Sequence, residues 1–292
     1  MPRKISPLRP DRLVLAGAAV LFLLSLSADG WSAPQSSKLI SKMKNIELCN
    51  GSDRSSPEPQ IRGCTILIDD QNETVLVRAV AHNNRGDAYV AQGNFEAAIN
   101  DYDQAIGLKP DFARPFNNRG FAYLKKGDYD RALKDFDQAI KLNPNYARAF
   151  ANRAETHQQR HDYQSAARDY DNAIRVQPEL VAGWNGRCWT RAIMGELQPA
   201  LADCNKALAI RPNDAATLDS RGLIHLKLGQ FDSAINDYSS ALRIEPALAS
   251  ALYGRGLARI KKGDATGGNA DLAAAAKLEQ KIAENFSHYG IR

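Results

Sequence analysis

Along this chain apolar and small residues return at a helical spacing, and the whole arrangement returns again every 34 residues. Around the stretch Asn117–Pro144, NNRGFAYLKKGDYDRALKDFDQAIKLNP, the residues Phe116, Gly120 and Tyr123 stand at i, i+4 and i+7, which is one face of a helix. Ala132, Phe136, Ala139 and Ile140 do the same in a second helix, and Gly127-Asp128 supplies the stop and restart between them. Neither helix can bury its apolar face alone, so neighbouring hairpins must stack.

The copies keep register. Pro110, Pro144, Pro178, Pro212 and Pro246 are 34 apart. Gly86, Gly120, Ala154, Cys188, Gly222 and Gly256 keep the same step, as do Ala98, Ala132, Ala166, Ala200 and Ala234, with Gly268 in the last place. An aromatic recurs in the second helix at Tyr102, Phe136, Tyr170 and Tyr238. A hairpin of this length, with small residues at the crossing and proline closing the unit, resembles the tetratricopeptide repeat over roughly Ala79–Gln280. The resemblance implies an all-α fold, a right-handed α-solenoid of about six regular 34-residue repeats with a groove lined by first helices.

The N-terminus follows other rules. Arg3, Lys4, Arg9 and Arg12 precede the uncharged run Leu13–Ser27, and small residues follow up to Ala33. That order describes a secretory signal peptide, and the run is short for a membrane span of about 20 residues. Residues 1–33 are therefore expected to direct export to the periplasm, with cleavage near Ser32 or Ala33. The alternative is an uncleaved leader that anchors the chain to the inner membrane. No cysteine stands near this exit, which argues against a lipoprotein anchor. The formal charge of +5 falls to +3 when four basic and two acidic residues leave with the leader. Charges of both signs alternate along the helices without a like-charged block, so nucleic acid is not an expected partner.

The four cysteines form two pairs, 15 and 16 residues apart. Cys188 takes the small place of a first helix and Cys204 the aromatic place of a second; these places face each other across a hairpin, so a disulfide is geometrically reasonable. Ile61, Cys64 and Ile68 match Leu133, Phe136 and Ile140, which puts Cys64 in the same aromatic place and Cys49 opposite it. The alternative is that all four are free, small buried hydrophobes; the export signal favours pairing. Exported bacterial repeat proteins that this chain resembles often begin with such a cysteine-paired unit. The closing stretch KKGDATGGNADLAAAAKLEQ resembles that of exported α-proteobacterial members. The expected organisation is a leader over 1–33, a linker and degenerate capping repeat over 34–78, the array over 79–282 and a tail over 283–292, with one closing helix across Ala270–Phe286.

Two charged columns run through the six regular repeats. Arg85, Arg119, Arg153, Arg187, Arg221 and Arg255 each precede, by 16 residues, Asp101, Asp135, Asp169, Asp203, Asp237 and Asp271. One-to-one matching beside the core columns favours a structural ion-pair ladder over an anion-binding stripe. His157 and His161 stand at i, i+4, but a third ligand is missing and no metal is expected.

Register assigns Asn83, Asp87, Asn117, Phe121, Lys125, Glu155, Gln159, Asn185, Trp189, Asp219, Leu223, Tyr253 and Leu257 to the groove. Its first half is amide-rich and its second half apolar and aromatic. Those faces are not basic enough for the carboxylate clamp of the chaperone-binding members of the family. No catalytic constellation or cofactor motif is present: there is no phosphate loop, nucleophile elbow or HExxH. The expected function is a non-catalytic periplasmic scaffold that binds a peptide or partner protein of the cell envelope. Alternatives are a module for a glycan or small envelope molecule using Trp189 and Tyr253, or a membrane-anchored assembly factor if the leader stays.

Overall fold

The computed structural model describes residues 33–51 and 56–291, and among them all regular structure is helical. The first fourteen helices form seven hairpins: α1 (Ala33–Cys49) with α2 (Glu58–Asp69), α3 (Val75–Ala91) with α4 (Phe95–Leu108), α5 (Ala113–Lys126) with α6 (Tyr129–Leu142), α7 (Ala147–Gln159) with α8 (Tyr163–Val176), α9 (Val181–Met194) with α10 (Leu197–Ile210), α11 (Ala215–Lys227) with α12 (Phe231–Ile244) and α13 (Ala249–Lys261) with α14 (Ala265–Leu278). A short α15 (Ile282–His288) follows. The predicted leader lies outside the described residues, apart from Ala33, which opens α1. No helix among the described residues is long and apolar enough to cross a membrane.

The helices group into two compact units, one closing at Pro144 and the next opening at Asn145. Within the first, α1 to α6 pack in chain order; within the second, α7 to α14 do the same and α15 lies on α13 and α14. Both units are stacks of helical hairpins, as a solenoid requires.

Local chemistry sets the period. The second helices from α4 onward all start and end 34 residues apart, and Asn94, Asp128, Asp162 and Asp264 cap four of them by accepting from the backbone N–H three residues on. Gly127 ends α5 in the left-handed region at φ 80°, as Gly93, Gly195, Gly229 and Gly263 do in the other turns. In the third regular turn that position is His161, at φ 62°. An L side chain there costs about 1–2 kcal/mol, so His161→Gly is expected to raise stability by about 1 kcal/mol, or roughly 2–4 °C in Tm. Thermal melts of the two proteins check this, and an unchanged or lower Tm would contradict it.

The core is one ring against one missing side chain, repeated. A Cβ added to Gly86 would come within 2.6 Å of Tyr102, one on Gly120 within 2.9 Å of Phe136, and one on Gly222 within 2.8 Å of Tyr238. Tyr170 and Tyr238 also reach forward to the next hairpin, where a Cβ on Gly186 or Gly254 would sit 2.2 Å from the ring. Each such ring therefore fixes both its own hairpin and the spacing to its neighbour.

The C-terminal end differs from the reading above. Ala270–Phe286 is not one helix. It breaks after Leu278, where Glu279 is extended at φ −146° and ψ 104°, in step with the C-caps Lys109, Asn143, Gln177, Arg211 and Glu245. The break survives although Gln280 stands where the other repeats have proline, because the turn geometry and not the ring itself sets the period. Within the stretch expected as a tail, Phe286 and Tyr289 are buried. The helix that carries Ala79, α3, begins at Val75 with Thr74 as N-cap.

Candidate functional site

The two cysteine pairs stand at bonding distance: Cys49 and Cys64 join α1 to α2 with Cα atoms 4.5 Å apart, and Cys188 and Cys204 join α9 to α10 with Cα atoms 5.4 Å apart. All four are fully buried. They lock one hairpin in each unit and leave no thiol available among the described residues.

The charged columns meet inside single hairpins. In all six pairs the arginine Nε and Nη2 donate to the two carboxylate oxygens, at 2.6–2.8 Å. Bidentate geometry of this kind is the strong form of the contact. Nη1 is often used as well, reaching back one hairpin: Arg85 to Thr65, Arg119 to Asp103, Arg187 to Asp171 and Arg221 to Asn205. Phe116, Phe150 and Trp184 lie beside the guanidinium groups of Arg119, Arg153 and Arg187. Hydrogen bonding to Asp101 and Asp237 holds Arg85 and Arg221 more firmly charged than usual. Burial pushes the Asp135 carboxyl up against the pull of Arg119. With their donors used this way, these arginines join hairpins to one another.

The groove candidates divide sharply. Lys125, Gln159, Tyr253 and Leu257 are partly exposed; Asn83, Asp87, Asn117, Phe121, Glu155, Asn185, Trp189, Asp219 and Leu223 are buried. The amide-rich half is engaged with itself. Asn118 Nδ2 donates to Asn83 Oδ1 and Asp87 Oδ1, Tyr102 OH donates to Asp87 Oδ1 at 2.7 Å, and Asn117 Nδ2 donates to Asn118 Oδ1. Ser220 likewise donates to Asn185 Oδ1, and Ser250 to Asp219 Oδ2. Asn118, Ser220 and Ser250 in this way connect successive first helices. The donors Asn118, Ser220 and Ser250 escaped the sequence reading. Asn118 and Ser220 belong to a column, Asn84, Asn118, Asn152, Gly186, Ser220 and Gly254, whose chemistry changes too much to register as one.

The apolar half has a different cover. Trp189, Leu223, Tyr253 and Leu257 come from α9, α11 and α13 and share one cluster with Ile282, Phe286 and Tyr289 of the C-terminal segment. Phe286 lies 4.7 Å from Tyr253 and Tyr289 lies 5.7 Å from Trp189, ring centre to ring centre. The Trp189 indole N–H, 2% exposed, donates no hydrogen bond among the described residues. Beyond Ile291 opens a cleft of about 370 Å³ bordered by Leu226, Phe231 and Leu257. His157 faces Asp162 and Asp169, and His161 Nδ1 is 3.0 Å from the Tyr163 hydroxyl, so the two histidines point to separate partners.

Family models described as TPR repeat match residues 86–127 and 222–263, and two described as tetratricopeptide repeat match 113–146 and 152–215. Among curated protein sequences none matches this chain. Among solved structures, a chain of an APC/C hetero-tetramer superposes with a TM-score of 0.72 at 15% identity over 84% of this chain, which spans 48% of that one. A tetratricopeptide repeat protein from Parabacteroides merdae gives 0.63 at 18% identity, covering 85% of this chain and 99% of its own. PilW, a type IV pilus biogenesis factor, gives 0.60 at 18%, covering 72% and 94%. At such identities the likeness concerns the fold. Together the matched repeats span more than half of the sequence, and the chain belongs to the tetratricopeptide repeat family.

Proposed function

We propose that this protein is a non-catalytic scaffold of the bacterial cell envelope that binds a peptide segment of a partner protein on the inner face of its first helices. The observation that carries this reading is the row Trp189, Leu223, Tyr253 and Leu257, in which successive repeats present apolar and aromatic side chains along one face. Helices laid in such rows bind through apolar anchors at helical spacing. The family, whose members commonly act as interaction scaffolds, supports the reading, and so does the likeness to PilW. Export to the periplasm rests on the leader together with two cysteine pairs of disulfide geometry, which persist in oxidising compartments.

Affinity capture from envelope extract of the native host tests the scaffold. A specific partner retained by the wild-type chain and lost by the Tyr253→Ala, Leu257→Ala double variant is expected; capture of no specific partner would overturn the reading. Compartment is tested separately by intact mass on protein from the same fractions, with and without alkylation. The expected product lacks the leader and takes up no alkylating agent without reduction. A full-length mass with alkylated thiols would place the chain on the cytoplasmic side.

A further inference from the structure

We propose that the segment Ile282–Ile291 is a displaceable occupant of the groove and that it reports the ligand's chemistry: a short amphipathic helix with apolar or aromatic anchors at i, i+4 and i+7. The proposal rests on the scaffold reading above and names the ligand class for that site.

The path of the segment is the first argument. Here α15 packs on α13 and α14, with Phe286 against Tyr253, and the residues after it go on along the first helices: Tyr289 meets Trp189 of α9, and Gly290 and Ile291 line a cleft with Leu226 of α11. The segment as a whole thus touches first helices of three successive repeats through Phe286, Tyr289 and Ile291.

Its own pattern is the second. Ile282, Phe286 and Tyr289 are buried at i, i+4 and i+7, while Ala283, Glu284, Ser287 and His288 are exposed. That is the anchor spacing of a helix lying in an apolar groove. The segment therefore binds as a ligand would, though it belongs to the same chain.

Its hold is weak by construction. α15 has seven residues, too few to be a stable helix alone, and its N-cap Lys281 supplies no side-chain capping hydrogen bond. Elements of this kind open at lower free energy than the core they rest on. Its fit is also incomplete, since the buried Trp189 N–H beside Tyr289 finds no acceptor among the described residues. A partner segment that offers a carbonyl or hydroxyl oxygen there would make a contact that the resident segment does not.

The test uses the full chain and a labelled peptide, IAENFSHYGI, identical to residues 282–291. The peptide is expected to bind the Phe286→Ala, Tyr289→Ala double variant at least tenfold more tightly than the wild type, and Trp189→Ala in that background should abolish the binding. Equal or absent binding to a double variant that still melts cooperatively would overturn the proposal. Hydrogen exchange on the wild-type chain is a second measurement that needs no substitution. Amides of 286–291 should exchange at least tenfold faster than those in the middle of α13; exchange of both together, only on global unfolding, would make the segment a fixed cap and overturn the proposal. Neither readout involves a captured partner, so the scaffold reading and this one can fail independently.

Discussion

Asp101→Ala is expected to destabilise the first unit by about 3–5 kcal/mol, the usual consequence of removing one member of a buried ion pair. The carboxylate is 2% exposed and accepts three hydrogen bonds of 2.8 Å, two from Arg85 and one in contact with His82 Nδ1. Without it a largely buried guanidinium and the imidazole both lose their acceptor, and only the bond from Arg85 Nη1 to Thr65 remains. Arg85 keeps some access to water, with 19% of its side chain exposed, which favours the lower end of that range. Replacing both partners by apolar residues of similar volume, Arg85→Met with Asp101→Leu, should cost less than Asp101→Ala alone, because no uncompensated charge is left behind. The exposed pair Lys109–Asp111 is the contrast. Asp111→Ala should leave stability essentially unchanged, as for an exposed ion pair. Urea denaturation of the four proteins at neutral pH measures all of this. A loss below about 1 kcal/mol for Asp101→Ala would show that the ladder contributes little.

Repetition made most of the fold legible. A column such as Arg85 to Arg255 is read six times, so an error at one position is corrected by the others, and the hairpin pairing follows from a spacing of 16 residues that the ladder shares with Cys188 and Cys204. Cys49 and Cys64 could be placed because a cysteine in the aromatic position of a hairpin already had a counterpart at Cys204. The same method fails where nothing repeats. Residues after Gln280 have no earlier copy for comparison, and the absence of proline there suggested a continuous helix, although the turn keeps its geometry without it. The groove was harder for another reason. Register alone names Asn83, Asp87, Asn185 and Asp219, yet whether such a side chain meets solvent or its neighbour depends on the residue 31 or 35 positions further along the next first helix. Polarity of the column alone does not settle that. It also gives no sign that Phe286 and Tyr289 would come to rest on Tyr253 and Trp189.

Two helical glycines should answer substitution with opposite signs. At Gly186 a Cβ would stand 2.2 Å from Tyr170 Cζ and 2.7 Å from its hydroxyl oxygen. The ring cannot retreat freely: it is fully packed, its hydroxyl donates to Gln158 Oε1, and Gln158 Nε2 in turn donates to Thr190 Oγ1 and the Gly186 carbonyl. Moving Tyr170 would part α8 from α9 and break that chain, while burial that already pushes its hydroxyl pKa upward rules out ionisation as an escape at neutral pH. Gly186→Val is therefore expected to cost about 3 kcal/mol, the upper part of the range for overpacking a core. Gly107, exposed on α4 with nothing within 4 Å of its would-be Cβ, should do the reverse. Gly107→Ala is expected to gain about 0.5–1 kcal/mol from helix propensity alone. Combining Gly186→Val with Tyr170→Leu tests the cause, because a clash between these two residues makes the double variant less destabilised than the sum of the singles, whereas independent effects would simply add. Calorimetry on the set decides it: strict additivity would move the origin of the glycine requirement from the Tyr170 ring to the backbone of α9.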